Sequence, residues 1–231
     1  MLDAGWPRKN ADLHRQGNQR ISYLGIPRWF EIDRGALAAG AFNGLQVSTA
    51  SLGMTLESLN YILALGTVGL QLFAVAFLAL YFLRKKFPDL QEVADFLSNW
   101  GLWIGFLLSI AAAALTLYYS DVLGILPCGW CWFQRVALYP QVILFGLALW
   151  KREKSIADYS IGLSISGLAV ALYQHYLQMG GHGVLPCPAT GAGDCGQRFM
   201  FEFGYITFPL MAASLFAFLI VLMLFVRKAR E

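Results

Sequence analysis

Five apolar stretches, each about 20 residues or longer, follow one another along the chain. The hydrocarbon core of a membrane is about 30 Å thick, and a helix crosses it with about 20 residues while satisfying its own backbone hydrogen bonds. We therefore predict an all-α polytopic membrane protein. The predicted transmembrane helices cover residues 59–83, 100–119, 131–150, 156–178 and 203–226.

The composition agrees with this prediction. Hydrophobic residues make up 58% of the chain and charged residues 13%, whereas soluble domains average about 45–50% and about 25%. The composition thus excludes an ordinary soluble globular domain. The third stretch is the least uniform, because Arg135, Pro140 and Gln141 interrupt it. Pro140 lacks a backbone donor, so we expect the third helix to bend there.

Basic residues between the helices indicate which loops face the cytoplasm. They are concentrated at residues 84–86, 151–154 and 227–230. The opposing loops, 120–130 and 179–202, contain a single Lys or Arg residue, Arg198. All four cysteines lie in or beside these two loops, which the positive-inside rule places outside the cytoplasm. Disulfides are expected there, since that compartment is oxidising.

Residues 1–57 form a polar N-terminal extension that fits this topology poorly. With five helices the extension lies outside, yet it contains six basic residues: Arg8, Lys9, Arg15, Arg20, Arg28 and Arg34. The positive-inside rule weakens for long segments, which is one explanation. The other is that translation starts at Met54, which would leave a short outer tail without Lys or Arg. We assign no function to the extension.

Cys128 and Cys131 form a C-x-x-C motif directly before the third predicted helix. Unpaired backbone N–H groups and the helix dipole favour a thiolate at this position. Arg135 lies on the same helical face as both cysteines, so its charge can approach the sulfurs or a molecule bound beside them. The alternative is an interfacial arginine above a structural disulfide.

Aromatic residues surround this motif, and Gln134 adds a polar group among them. Trp130, Trp132 and Phe133 could simply belong to the aromatic belt that anchors helices at a membrane interface. Together with a dithiol and a cation, they also describe a site for a flat, lipid-soluble two-electron acceptor. A quinone meets that description.

Cys187 and Cys195 lie in the segment LPCPATGAGDCGQ, whose glycines and prolines predict a flexible loop. A disulfide across so short a loop would stabilise little but would be accessible to thiolates. His175 lies near the outer end of the fourth helix, either as a hydrogen-bond partner of another helix or as a proton carrier. The spacing of the two cysteine pairs argues against a zinc site.

The segment PCGWCWFQRVALYP resembles the signature of the disulfide bond formation protein B family, especially its shorter Gram-positive-type branch. This family comprises quinone-linked thiol oxidases of bacterial membranes. YQHYLQ and EFGYITFPLMA extend the resemblance, which covers roughly residues 99–226. It implies a four-helix transmembrane bundle in the bacterial inner membrane, with the cysteines on the extracytoplasmic side. The helix at residues 58–83 is then an extra N-terminal transmembrane helix.

The resemblance also implies roles for individual residues. Cys128 and Cys131 would pass electrons to ubiquinone or menaquinone, while the Cys187 and Cys195 pair would meet the substrate. That substrate would be a thioredoxin-like dithiol oxidase of the DsbA type, and no nucleic acid partner is expected. The quinone site would be formed by Trp132, Gln134, Arg135 and His175. Arg135 would stabilise the negative charge that develops on the quinone oxygen.

Two alternatives come from other classes of protein. An enzyme similar to vitamin K epoxide reductase also couples a membrane C-x-x-C to a quinone, but its loop cysteines precede the C-x-x-C rather than follow it. A membrane scaffold with two static outer disulfides would show no thiol turnover. Gly101 and Gly105 form a G-x-x-x-G motif, which we expect to pack helices within the bundle.

Overall fold

The computed structural model describes residues 56–84, 86–87, 90–187 and 195–228, and the helices in these ranges form one compact unit. Its five α-helices are α1 (Leu56–Leu83), α2 (Leu90–Leu117), α3 (Gly129–Lys151), α4 (Ile156–Gln178) and α5 (Phe208–Lys228), and no strand occurs among the described residues. All five are long and apolar enough to span a membrane. The predicted all-α polytopic architecture is confirmed. The proposed start at Met54 and nearly all of the N-terminal extension lie outside the described residues.

The second helix begins ten residues before the predicted start. Its first turns contain charged residues, but Ala94, Leu97 and Ser98 are buried at helical spacing. One face of this polar segment therefore packs inside the bundle, which a count of apolar residues does not detect. At its other end α2 continues into a π-helical turn, Tyr118–Val122.

The fifth helix begins later than predicted, at Phe208 rather than at residue 203. Phe203 and Gly204 have φ angles of 52° and 76°, in the left-handed region that a helix cannot contain. Glu202 and Ile206 exchange backbone hydrogen bonds of 3.0 and 2.9 Å across this turn. An apolar tight turn thus precedes the helix, and hydrophobicity alone cannot distinguish the two.

Helix α5 forms the centre of the bundle. Of the 18 most apolar consecutive residues of α5, 67% are buried, compared with 17–28% of the corresponding residues in the other four helices. Phe216, Leu219 and Leu222 are almost completely enclosed. An added Cβ at Gly101 would lie 2.6 Å from Val226, and one at Gly105 would lie 3.1 Å from Phe145. The prediction that this G-x-x-x-G motif packs helices within the bundle is confirmed.

Polar side chains also join the helices. Gln141, which follows Pro140 in α3, donates to Ser164 of α4 at 3.2 Å and accepts from Ser160 at 2.8 Å. The extra helix α1 is joined at two levels: Tyr119 donates to Asn60 at 2.5 Å, and Gln71 donates to Ser214 of α5 at 2.9 Å. Helix α1 is therefore attached to the bundle by side-chain hydrogen bonds as well as by apolar packing.

Candidate functional site

Cys128 caps the N-terminus of α3. Its backbone is extended, with φ −74° and ψ 171°, and its sulfur accepts a hydrogen bond from the backbone N–H of Cys131. The chain folds in this way because Cys128 follows Pro127 and precedes Gly129, where the helix starts. A sulfur in this position faces the free N–H groups of the first helical turn.

The sulfurs of Cys128 and Cys131 are thiols that lie 2.8 Å apart. A disulfide bond measures about 2.05 Å, so the two sulfurs are close enough to form one when an oxidant removes two electrons and two protons. Cys128 is only 3% exposed. The hydrogen bond to Cys131 and then burial raise the pKa of the Cys128 thiol well above its usual range.

Gln174 of α4 contacts both sulfurs, although the sequence analysis assigned it no role. Its Nε2 atom lies 3.1 Å from the sulfur of Cys128 and 3.3 Å from that of Cys131. Its Oε1 atom accepts a 2.6 Å hydrogen bond from Nε2 of Gln134. The sequence signal was the pair Gln174 and Gln178, two amides four residues apart and hence on one face of a membrane helix.

Arg135 lies between α3 and the end of α2. Its Nη2 atom donates to the backbone carbonyl of Thr116 at 2.9 Å, and its guanidinium carbon lies 5.2 Å from the centre of the Trp132 ring. Among the described residues this is its one hydrogen bond, and neither sulfur is its partner. The positive charge of Arg135 therefore lies beside the ring of Trp132, the residue after Cys131, and makes no hydrogen bond to either sulfur.

His175 connects α4 to the start of α5. Its Nδ1 atom lies 2.9 Å from the hydroxyl oxygen of Thr207. That oxygen also accepts a long hydrogen bond, 3.4 Å, from the backbone N–H of Leu210. The tautomer of His175 determines whether Nδ1 or the Thr207 hydroxyl is the donor in this contact.

Cys187 and Cys195 form a disulfide. Cys187 is exposed, whereas Cys195 is only 3% exposed. Both ends of the loop are bound to α4. The Tyr173 hydroxyl accepts from the Leu185 N–H at 2.8 Å and donates to the Leu185 carbonyl at 3.1 Å. Gln178 donates to the carbonyl of Gln197 at 3.0 Å.

The two cysteine pairs lie at the same end of the bundle. The ring of Tyr173, which holds the loop before Cys187, is 5.2 Å from the ring of Trp130 between Cys128 and Cys131. Gln174 contacts both thiols, and Gln178 one turn later holds the loop after Cys195. A single turn of α4 thus separates Gln174, which contacts the thiol pair, from Gln178, which binds the loop that carries the disulfide.

The residues beside Cys131 fit a quinone. Trp132 and Phe133 are 48% and 51% exposed, so both present aromatic surface outside the helix. The Arg135 guanidinium has five N–H donors, and most remain for an acceptor beside the Trp132 ring. The indole N–H of Trp130 is buried and has no hydrogen-bond partner among the described residues. A flat apolar ring with carbonyl oxygens needs this combination of aromatic surface and donors.

The fold and the cysteines define a class of protein: a multi-pass membrane protein with a thiol pair and a disulfide at one end of its helices. The family model for disulfide bond formation protein DsbB matches residues 98–226. The chain belongs to this family, which gives it a role in disulfide bond formation and identifies it as a disulfide oxidoreductase. Helix α1 lies outside the matched residues.

Several curated proteins are similar to the chain over most of their own length. The probable disulfide formation protein of Chlamydia caviae is 34% identical over 122 residues, which cover 52% of this chain and 87% of that protein. Its counterpart in Chlamydia trachomatis is 30% identical over 58% of this chain and 97% of that protein. Disulfide bond formation protein C of Bacillus subtilis is 29% identical over 53% and 88%. No solved structure matches the chain.

Proposed function

We propose that the protein reoxidises a thioredoxin-like dithiol protein of the DsbA type outside the cytoplasm and passes the electrons to a membrane quinone. One observation carries the proposal: a disulfide and a cysteine pair lie at the same end of one bundle, where α4 contacts the sulfurs of the pair and binds the loop on both sides of the disulfide. The protein would act in the bacterial inner membrane, with its cysteines on the extracytoplasmic side. Sparse basic residues in both cysteine loops support that orientation.

The first exchange takes place at Cys187, because it is the exposed sulfur of the loop disulfide. A thiolate of the partner attacks Cys187 and forms a mixed disulfide, and Cys195 leaves as a thiolate. The partner's second thiol then attacks the mixed disulfide. It releases oxidised partner and leaves Cys187 as a thiol. The partner has lost two electrons and two protons, and the loop pair has gained them.

The second exchange involves Cys195 and Cys128, which are both buried. The Cys195 thiolate attacks Cys128 of an oxidised C-x-x-C pair, and Cys131 leaves. The Cys187 thiol then attacks Cys195, which restores the loop disulfide and leaves Cys128 and Cys131 as thiols.

Cys131 is the thiol that faces the electron acceptor, because it precedes Trp132 and Phe133 on the exposed side of α3. When bound there, ubiquinone or menaquinone supplies the oxidising capacity, since it accepts the two electrons and two protons released as the Cys128–Cys131 disulfide forms. Arg135 keeps a positive charge beside Trp132, and Gln134, in the same turn of α3, would also line the quinone site. His175, whose Nδ1 lies beside the Thr207 hydroxyl, would supply a proton at this site.

The proposal is tested with purified protein in lipid nanodiscs that contain a quinone. Reduced DsbA-type partner is added and the ultraviolet absorbance of the quinone is followed. The parent protein should reduce quinone continuously, and Cys131→Ser should abolish turnover. Ser166→Ala, at an exposed position on α4, is the control and should retain the parent rate. Turnover that survives Cys131→Ser would overturn the enzymatic proposal, and an inactive parent would favour a static scaffold.

A further inference from the structure

We infer that the Gln174 side-chain amide, oriented by Gln134, is the hydrogen-bond donor that stabilises the reduced C-x-x-C pair and thereby makes the pair a stronger oxidant of the loop cysteines. The inference deepens the proposed function, on which its consequence for turnover rests. It does not require a quinone, because it concerns the equilibrium between a dithiol and a disulfide. The relevant atoms are all in the buried interface between α3 and α4.

The geometry matches the donors of one amide to the two sulfurs. An amide nitrogen carries two N–H groups, and Nε2 of Gln174 lies 3.1 Å from Cys128 and 3.3 Å from Cys131. Both sulfurs are therefore within reach of the amide's N–H donors. Gln174 is 1% exposed, so water does not compete for these contacts. In such surroundings a hydrogen bond is electrostatically stronger than in water.

The orientation of the amide is fixed by a second glutamine. Nε2 of Gln134 donates to Oε1 of Gln174 at 2.6 Å, and Gln134 is 9% exposed. If the Gln174 amide were turned over, its N–H groups would face those of Gln134 and its oxygen would face the sulfurs. The contact with Gln134 would then be lost in a buried site, and the oxygen could accept from a thiol but could not donate to a thiolate. Gln134 thus keeps the donors of Gln174 directed at the cysteines.

The consequence for the redox pair follows from what each state accepts. Reduction produces thiols and, on loss of a proton, a thiolate. A thiolate accepts hydrogen bonds far more strongly than a disulfide sulfur, and bonds to a charged group are about twice as strong as neutral ones. Gln174 therefore stabilises the reduced pair more than the oxidised pair. Its removal should shift the equilibrium toward the disulfide.

In this proposal the two amide side chains and Arg135 have different roles. The hydrogen bond of Arg135 goes to the Thr116 carbonyl, whereas the contacts to sulfur come from an uncharged side chain. A neutral donor in the bundle avoids the large penalty of a charge in the membrane interior. Gln134 then acts through Gln174, as a positioning residue.

The test measures the redox equilibrium of the full chain without quinone. Cys187→Ser and Cys195→Ser are introduced together, so that one cysteine pair remains. The protein is equilibrated in glutathione buffers, acid-quenched and labelled with a maleimide that changes its mass. Gln174→Leu should shift the equilibrium about tenfold or more toward the disulfide. Gln134→Leu should shift it in the same direction by a smaller factor.

A second variant distinguishes the loss of the N–H donor from a folding defect of Gln174→Leu. Gln174→Glu has nearly the same shape but replaces a donor with an oxygen and adds a negative charge when ionised. It should also favour the disulfide, and more strongly as pH rises. Gln141→Leu is the matched control, since it removes another buried glutamine of α3 and should leave the equilibrium within about twofold of the parent.

The inference is overturned if folded Gln174→Leu and Gln174→Glu both keep the parental equilibrium, or if Gln141→Leu shifts it as much as they do. The outcome is independent of the nanodisc assay for quinone reduction. A shifted equilibrium in a protein that reduces no quinone would contradict the proposed function alone. An unchanged equilibrium in an active enzyme would contradict this inference alone.

Discussion

The guanidinium of Arg135 donates through Nη2 to the backbone carbonyl of Thr116, 2.9 Å away. This contact ties the second turn of α3 to the last turn of α2. The guanidinium also lies over the Trp132 ring, at 5.2 Å from its centre. A cation is thus held in a fixed position on the exposed aromatic flank of Cys131, where the proposed function requires an electron acceptor.

Replacement of Arg135 should slow quinone reduction without affecting the exchange with the partner. Arg135→Leu removes the charge and should lower the turnover rate by about 100-fold, a magnitude typical for the loss of an electrostatic donor. Arg135→Lys keeps the charge but loses the planar guanidinium and should be intermediate. Steady-state quinone reduction measures the first effect, and mixed-disulfide formation with the partner serves as the internal control. Equal losses in both assays would contradict the assignment.

The two loop cysteines should differ in their reaction with the partner, because Cys187 is exposed and Cys195 is buried. In a Cys195→Ser variant the remaining Cys187 should form a stable mixed disulfide with oxidised partner. In Cys187→Ser the buried Cys195 should form little. Non-reducing electrophoresis and mass spectrometry measure both products. The proposed order of exchange would be wrong if Cys195 were the sulfur captured.

The raised pKa of Cys128 predicts how its alkylation depends on pH. Alkylation requires the thiolate, and a higher pKa means that the neutral thiol persists to higher pH. The rate for Cys128 in the reduced, folded protein should therefore rise only at a pH above the ordinary thiol range, which is near pH 8.5. Peptide mapping of alkylated protein gives this profile.

Unfolded protein is the reference for that titration. Burial slows the reaction at every pH, so the comparison concerns the midpoint of the profile and not the absolute rate. In denaturant Cys128 should titrate as an ordinary thiol. A folded midpoint at or below the denatured one would contradict a pKa of Cys128 that is raised by the hydrogen bond to Cys131 and by burial.

Tyr173→Phe should loosen the loop before Cys187. The hydroxyl makes two hydrogen bonds to the backbone of Leu185, and its loss should slow exchange between the two cysteine pairs by about five- to tenfold. Rapid mixing of reduced partner with quinone-free protein, followed by acid trapping, measures this step. Tyr159→Phe, at an exposed position on the same helix, is the control. Equal rates in both variants would show that the Tyr173 hydroxyl does not hold the loop for exchange.

Asn60→Leu should weaken the attachment of α1 to the bundle. The variant removes the acceptor of the Tyr119 hydroxyl, and hydrogen bonds between membrane helices average about 0.6 kcal/mol. Unfolding in a graded detergent mixture should show a loss of stability of about this size. Leu65→Ala, at an exposed position on α1, is the control and should change stability less.

Much of the fold was predictable because the membrane imposes long apolar helices. The spans of α1 and α4 closely match the apolar stretches. The first turns of α2 and the start of α5 were missed for physical reasons. Ala94 and Leu97 are buried within a polar-looking segment, and Phe203 forms a left-handed turn within an apolar one. Average hydrophobicity carries neither signal.

The candidate site was predictable where chemistry depends on local sequence. A C-x-x-C before a helix places thiols at the helix N-terminus, and the structure has Cys128 there. Contacts between helices were not accessible in the same way. Gln174 meets Cys128 across 46 positions of sequence, and Thr207 meets His175 across 32. Such pairings depend on how α4 faces its neighbours, which a single sequence does not state.

The central claim is that electrons pass from the partner through the loop disulfide and the C-x-x-C pair to a quinone. The most direct measurement is an anaerobic single turnover with protein that carries a known amount of bound quinone. Reduced partner is added in limiting amounts, and oxidised partner and quinone absorbance are measured together. The account predicts that one quinone is reduced for each dithiol oxidised, and that Cys195→Ser prevents both. Partner oxidised without loss of quinone absorbance would contradict it.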